Sequence, residues 1–267
     1  MKRYFVMTVD VDPPISTIPP FIIKEGVTML LNFFDKHSFK ATFFIPSVTA
    51  ENFQNIVNEI VKRKHEIACH GLKHDPFEAT VNVDKQIHMI KIATRTIQSI
   101  TGIKPIGFRA PLFKVNKNCW VALQKNGYLY DSSIVCHPLY GNYRIPFLGK
   151  PYYIRLSKTN KNCSLLEVPV SSNPLFPFPL GGAYMRIFGL RWIKAGIKFN
   201  FLNKNPVVFY VHPKDVIPRT YGRKWYYYKN TINCMNMLKD IIKYAEQNEA
   251  EFITAYELAR LYEEELL

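Results

Sequence analysis

Four short stretches of this 267-residue sequence place ionisable side chains directly after apolar runs. Asp10 and Asp12 close "YFVMTVDVD", His70 and His74 follow "EIA" in "CHGLKHD", Arg109 follows "IGF", and His212 follows "VVFYV". Two imidazoles and one carboxylate form a three-ligand set for a divalent metal, with positions left for water and substrate. Such an ion acidifies water and polarises a carbonyl, which is the equipment for hydrolysing an amide or ester. The reaction then needs a carboxylate to accept the water proton and an acid to protonate the departing amine or alcohol. Residues i and i+2 of a strand face the same side, so Asp10 and Asp12 can enter one site. If Asp12 binds the ion its charge is absorbed, and Asp10 is left as the base, kept ionised by a cation such as Arg109. His212 is the candidate acid. A lone strand-end Asp ordinarily caps a turn, and a His-x-x-x-His pair arises readily by chance. Recurrence over four segments is what carries the reading.

Those segments need a scaffold that gathers the ends of four strands. The pattern supplies one: "YFVMTV", "KATFFIP", "HEIACHG", "IGFRAP" and "LYDSSI" read as strands, alternating with helices over 24–37, 51–64, 84–101 and 116–126. The third helix is expected to be capped by Asp84 and stopped by Gly102, and Gly127 follows the fourth. Between about 136 and 186 the rhythm fails, and Pro, Tyr and Gly dominate around one strand, "LLEVPV". Regularity returns with "PVVFYVHP", a helix over 230–247, and a strand and helix in "EFITAYELARL". Alternating strands and helices imply an α/β fold with a closed or nearly closed parallel barrel, whose site lies at the carboxyl ends of the strands. We expect one domain over 1–267, with 136–186 as a loop-rich insertion suited to a lid. Within it, Glu167, Tyr184 and Arg186 read equally as sugar contacts or as a strand ion pair and a packing ring.

The order of these motifs resembles the polysaccharide deacetylases, the NodB-homology or chitin-deacetylase family of carbohydrate esterases, from Tyr4 to about Arg219. The resemblance implies a distorted (β/α) barrel of about seven parallel strands and metal-dependent removal of N- or O-acetyl groups from sugars. On "TVDVD" it implies Asp10 as general base and Asp12 as metal ligand. On "HGLKH" it implies His70 and His74 as the other ligands, with Gly71 where the family has a loop-stabilising hydroxyl residue. "RAPLF" implies Arg109 steering the base and the backbone N–H of Leu112 as an oxyanion donor, and "VFYVHP" implies His212 as acid. The remaining motif, which carries an Asp, is poorly matched, and Asp131 of "YDSSI" is its only candidate. "DSSI", "EVP", "GGAYMR" and the strand ending "HP" are similar to a subgroup associated with surface and exopolysaccharide synthesis. The metal implied is zinc foremost, with cobalt, nickel or manganese as alternatives.

Composition bounds the partners. The formal charge is +14, which suits an acidic glycan, an anionic membrane surface or simply a soluble basic surface. Nucleic acid is not expected, because no recognisable binding motif accompanies the charge. The five cysteines are scattered, without a C-x-x-C pair, and no stretch is long and apolar enough to span a bilayer. These features give a cytoplasmic expectation, with peripheral association at the inner face of a membrane as an option. The expected substrate is an N-acetylated sugar in a glycan or lipid-linked precursor. Two alternatives stay open: a deformylase or other amide hydrolase of the same fold, and a non-catalytic glycan-binding relative. Trp225 with Tyr226, Tyr227 and Tyr228 is an aromatic cluster suited to stacking on sugars, to a membrane interface or to packing.

Overall fold

The structure is a computed structural model and describes residues 2–15, 19–137, 149–156, 164–175, 178–217 and 233–266. The aromatic cluster at 225–228 lies outside the described residues. Strand β1 (Arg3–Asp10) is followed by α1 (Phe21–Lys36), β2 (Thr42–Ile45), α2 (Ser47–Asn52), α3 (Gln54–Lys62) and β3 (Glu66–Cys69). Next come α4 (Val83–Thr101), β4 (Gly107–Phe108), α5 (Lys117–Lys125) and β5 (Tyr130–Asp131). The second half adds β6 (Tyr152–Arg155), β7 (Ser164–Glu167), α6 (Gly182–Phe188), α7 (Leu190–Leu202), β8 (Val207–Val211), α8 (Pro213–Val216), α9 (Cys234–Gln247), β9 (Ala250–Ile253) and α10 (Ala255–Leu266).

All nine described strands join one sheet, in the order β6-β7-β5-β4-β3-β2-β1-β8, with β9 also on β1. Eight run parallel, as the alternation of strands and helices requires, and only β6 pairs antiparallel, with β7. β6 was not foreseen, because "YYIR" is short and sits among Pro and Gly. β1 lies at the centre: β8 pairs with one edge, while β9 and β2 share the other, taking Arg3–Val6 and Thr8–Asp10 respectively. The sheet curls until its ends meet through Ser171, whose N–H donates to Val208 O at 3.1 Å and whose Oγ accepts from Val208 N at 2.9 Å.

Strand parity decides which side chains enter the barrel. Phe5, Met7 and Val9 of β1 and Val207, Phe209 and Val211 of β8 pack outward in the large core under the helices. Val6, Val208 and Tyr210 pack inward, in a smaller cluster with Phe44, Ala68, Tyr130 and Leu166. The inward set continues along each strand as Thr8, Asp10 and Asp12, and as His212.

Local differences from expectation have local causes. The single helix expected over 51–64 is two, broken at Phe53, whose φ of −130° and ψ of 41° are not helical. The cap of α4 is Asn82, accepting from Lys85 N at 2.9 Å, and not Asp84, while Gly102 ends the helix at φ 72° as foreseen. The irregular stretch ends earlier than 186, because α6 begins at Gly182, and α7 follows directly. The described cysteines Cys69, Cys119, Cys136 and Cys234 are buried free thiols. Among the described residues no helix is long and apolar enough to cross a membrane.

Candidate active site

Asp10 and Asp12 emerge from the carboxyl end of β1, His70 and His74 from the loop after β3, Arg109 from the end of β4, and His212 from the end of β8. The structure brings all six together. Four of them, Asp10, Asp12, His74 and His212, line a cleft of about 370 Å³ together with Leu112, Tyr184, Tyr210 and Lys214, and His70 and Arg109 stand behind it.

Arg109 is 0% exposed and makes four hydrogen bonds through all three of its nitrogens. Nη1 donates to Asp10 Oδ1 at 2.7 Å and Thr8 Oγ1 at 2.8 Å, while Nε and Nη2 donate to the carbonyl and hydroxyl of Ser132 at 3.0 and 2.9 Å. Its face lies 4.1 Å from the centre of the Phe44 ring. A guanidinium held this way fixes the orientation of the Asp10 carboxylate and compensates its charge.

Asp12, His70 and His74 each present one donor atom, all within 4.8 Å of one another. His70 Nδ1 lies 2.7 Å from Arg109 O, and a carbonyl only accepts, so the proton sits on Nδ1 and the Nε2 lone pair faces Asp12. Asp12 Oδ1 is buried without a hydrogen bond, although His74 Nε2 stands 3.1 Å away. Lone pairs converging in this way fit a shared divalent cation. Burial alone would raise the Asp12 carboxyl, but Lys214, then His212, His70 and His74, outweigh it and hold it well below the usual carboxylate range.

The loop bearing the two histidines is held by Glu78, which sequence reasoning missed. Its carboxylate accepts from Leu72 N at 2.8 Å, Lys73 N at 2.7 Å and Asp75 N at 3.1 Å. Those bonds fix His74 in the left-handed region, at φ 62°, a conformation that costs a non-glycine residue on the order of 1 kcal/mol. Gly71 sits at φ 83°, where any residue with a Cβ is strained, and an added Cβ would also displace Glu78 Oε2, 2.7 Å away, so in this loop the Glu78 carboxylate does the anchoring.

On the opposite side, His212 is backed by a relay. Its Nδ1 lies 3.1 Å from Asp215 Oδ2, and Arg186 Nη2 donates to Asp215 Oδ1 at 2.7 Å. Burial would raise the Asp215 carboxyl, but Arg186 and His212 hold it well below its ordinary value. His212 Nε2 is then the atom turned to the cleft, 3.5 Å from Asp12 Oδ2. Lys214 completes that wall, with Nζ 2.8 Å from the same Asp12 oxygen. Asp215 and Lys214 were hidden in "HPKD", where i+3 spacing and a tight helical turn return the carboxylate to the histidine.

Asp131, the candidate partner from "YDSSI", does not enter this cleft. Tyr130 points inward, so Asp131 points outward, where it is 0% exposed and accepts from Trp120 Nε1 at 2.8 Å, Ser132 N at 2.9 Å and Ser133 Oγ at 2.5 Å. Burial, relieved in part by these bonds, raises its carboxyl to about 6. Glu167, of the same parity on β7, is buried beside it and its carboxyl is raised too, by burial and then by the Asp131 charge. Leu112 is 58% exposed at the cleft edge, and it and Phe113 adopt successive left-handed conformations at φ 54° and 57°. Tyr184, on α6, lines the cleft with its ring stacked on Phe178 and Phe188. Its neighbour Arg186 is drawn into the relay instead.

Residues 1–130 match the family model for polysaccharide deacetylase, and residues 132–259 match one described as a domain of unknown function. A peptidoglycan deacetylase-like protein of Gibberella zeae is 33% identical over 44% of this chain, and the peptidoglycan deacetylase of Helicobacter pylori is 28% identical over 51%. These matches span 35% and 43% of the relatives' own length. A structure assigned as a polysaccharide deacetylase of Mycobacterium smegmatis superimposes on 100% of this chain and 92% of its own, with a TM-score of 0.75 at 19% identity, so it shares the fold. The match to the polysaccharide deacetylase family is carried by residues 1–130, just under half of the chain.

Proposed function

We propose that the chain is a metal-dependent hydrolase that removes an acetyl group, N-acetyl foremost, from a sugar in a glycan or glycan precursor, and that its two matched segments work as one catalytic domain. The observation that carries this reading is the placement of the Arg109-bound carboxylate of Asp10 on one side of the Asp12, His70 and His74 donor set, with His212 on the other. A divalent ion held by those three residues, zinc foremost, supplies acidified water and a polarised acyl carbonyl. Asp10 accepts the proton of the attacking water, and Arg109 keeps it ionised and aimed. The backbone N–H of Leu112 donates to the developing oxyanion. His212, its positive charge stabilised by Asp215 at Nδ1, delivers a proton from Nε2 to the nitrogen as the C–N bond breaks, releasing acetate and the amine. Tyr184 packs against the sugar at the rim.

Acetate release from N-acetylhexosamine oligomers, with and without a chelator, tests the reading. Chelation and Asp12→Ala should each abolish turnover, and Asp10→Asn should lower kcat by at least about a hundredfold. Turnover indifferent to the chelator and to Asp12→Ala would sink it.

A further inference from the structure

We infer that the mouth of the cleft seats on an anionic lipid surface, so that the acetylated sugar it takes is one carried on a lipid anchor. The inference rests on the deacetylase reading and narrows its substrate. Each loop that brings a site residue from β1, β3 and β4 carries a large apolar side chain three positions further on: Ile15 after Asp12, Phe77 after His74 and Leu112 after Arg109. These three are 54%, 69% and 58% exposed. Because the strands run parallel, all three loops leave the same end of the barrel, the end at which the cleft opens. On another wall Phe188, also exposed, stacks on Tyr184 with ring centres 6.2 Å apart. Among the described residues, apolar side chains thus stand open on several sides of one mouth.

The kind of occupant follows from the side chains. A protruding isoleucine or leucine offers a sugar neither a flat ring to stack on nor a hydrogen bond, but it enters the interfacial zone of a bilayer readily. A second protein seated on these tips would seal the cleft between them, whereas a bilayer covers them and presents its anchored sugar at the same mouth. The charges beside the tips suit anionic headgroups. Lys73 and Lys114 are exposed on the loops of Phe77 and Leu112, Lys117 is exposed at the start of α5, and Arg191 is exposed three residues after Phe188. Among the described residues of the three loops the one exposed acid is Asp75, which accepts from Phe77 N at 2.9 Å.

The test mixes the full chain with vesicles of phosphatidylcholine, alone or in equal mixture with phosphatidylglycerol, and measures bound protein by flotation. Wild type should bind the anionic vesicles, and raised salt should weaken that binding. The double variant Ile15→Ser/Phe77→Ser should lower the partition coefficient by about a hundredfold, the size of two apolar side chains lost from the interface. Leu202→Ser is the control, because Leu202 is as exposed as Phe77, at 69%, but lies just before β8, at the other end of the barrel, and should change nothing. Acetate release is then compared for N-acetylglucosamine oligomers in solution and for an N-acetylglucosaminyl diacylglycerol seeded in the anionic vesicles. Wild type should favour the anchored sugar in kcat/KM by at least about tenfold, since one surface concentrates both partners. The double variant should lose that preference and hydrolyse the oligomer at the wild-type rate. Absent vesicle binding, binding lowered equally by Leu202→Ser, or equal use of the two sugars overturns the inference, as does a dimer in buffer that the double variant dissociates; oligomer hydrolysis in any of these cases leaves the deacetylase reading intact. Tip-dependent vesicle binding without hydrolysis of either sugar upholds the lipid-facing mouth and refutes the deacetylase reading.

Discussion

Two pairs of acids stand at the same end of this sheet and are treated in opposite ways. Asp10 and Asp12 point into the barrel and meet cations: Arg109 at 2.7 Å from one and Lys214 at 2.8 Å from the other. Asp131 and Glu167 point outward beneath the helices and meet an indole, hydroxyls, backbone amides and each other. The first pair is compensated by fixed cations. The second resists ionisation, with Asp131 raised to about 6 and Glu167 well above its ordinary value. Acids of the same sheet thus meet cations or neutral hydrogen-bonding groups according to parity on the strand, because parity decides whether the neighbours are arginine and histidine or tryptophan and serine.

The largest expected effect breaks the cleft side of the comparison. Arg109→Met leaves Asp10 buried without its partner and strips bonds from Thr8 and Ser132, so unfolding free energy should fall by about 3–5 kcal/mol. Asp131→Asn, which keeps an acceptor for Trp120, should cost much less. Urea titrations of both variants decide the matter: equal losses would mean that the two acid pairs are energetically alike.

A second substitution probes the outer pair. Carboxyls whose pKa is raised by folding bind more protons folded than unfolded, so their contribution is fully present below about pH 4 and is lost as pH climbs through the folded value near 6. Glu167→Gln keeps the acceptor that Ile134 N–H uses at 2.9 Å and removes one competing charge. It should stabilise the protein by about 2 kcal/mol at pH 8 and by much less at pH 4.5. A gain of the same size at both pH values would show that the pair is not short of a proton.

The cleft was largely legible because its signals are strand-end signals. Apolar runs announce where strands stop, and Asp10, Asp12, His70, His74, Arg109 and His212 follow those stops directly. The seam through Ser171 was not legible, since a single serine bridging two strands leaves no periodic trace. Helices α6 and α7 were obscured by the Pro- and Gly-rich stretch that precedes them. Asp131 misled because it too ends an apolar run, and only the register of β5, with Tyr130 inward, turns it away. Asp215 was overlooked because it reaches His212 through a helical turn that "HPKD" alone does not declare.

Glu78 gives the smallest and sharpest test, because it is a third kind of acid, half-buried and satisfied neither by a cation nor by a shared proton but by three backbone amides. Those amides belong to the loop that carries His74 in a left-handed conformation, so the carboxylate fixes the geometry of a proposed ligand without touching it. Glu78→Ala frees the loop and lets His74 relax, while the remaining donors, Asp12 and His70, keep their strand-end anchors. Zinc affinity, measured by competition with a chromophoric chelator, should therefore fall by about tenfold, with a much smaller change in global stability. Glu78→Gln retains one acceptor oxygen and should recover part of the affinity. If Glu78→Ala instead unfolds the protein before it loosens the ion, the loop belongs to the core rather than to the site, and the separation between charged cleft and neutral outer layer is less sharp than parity makes it.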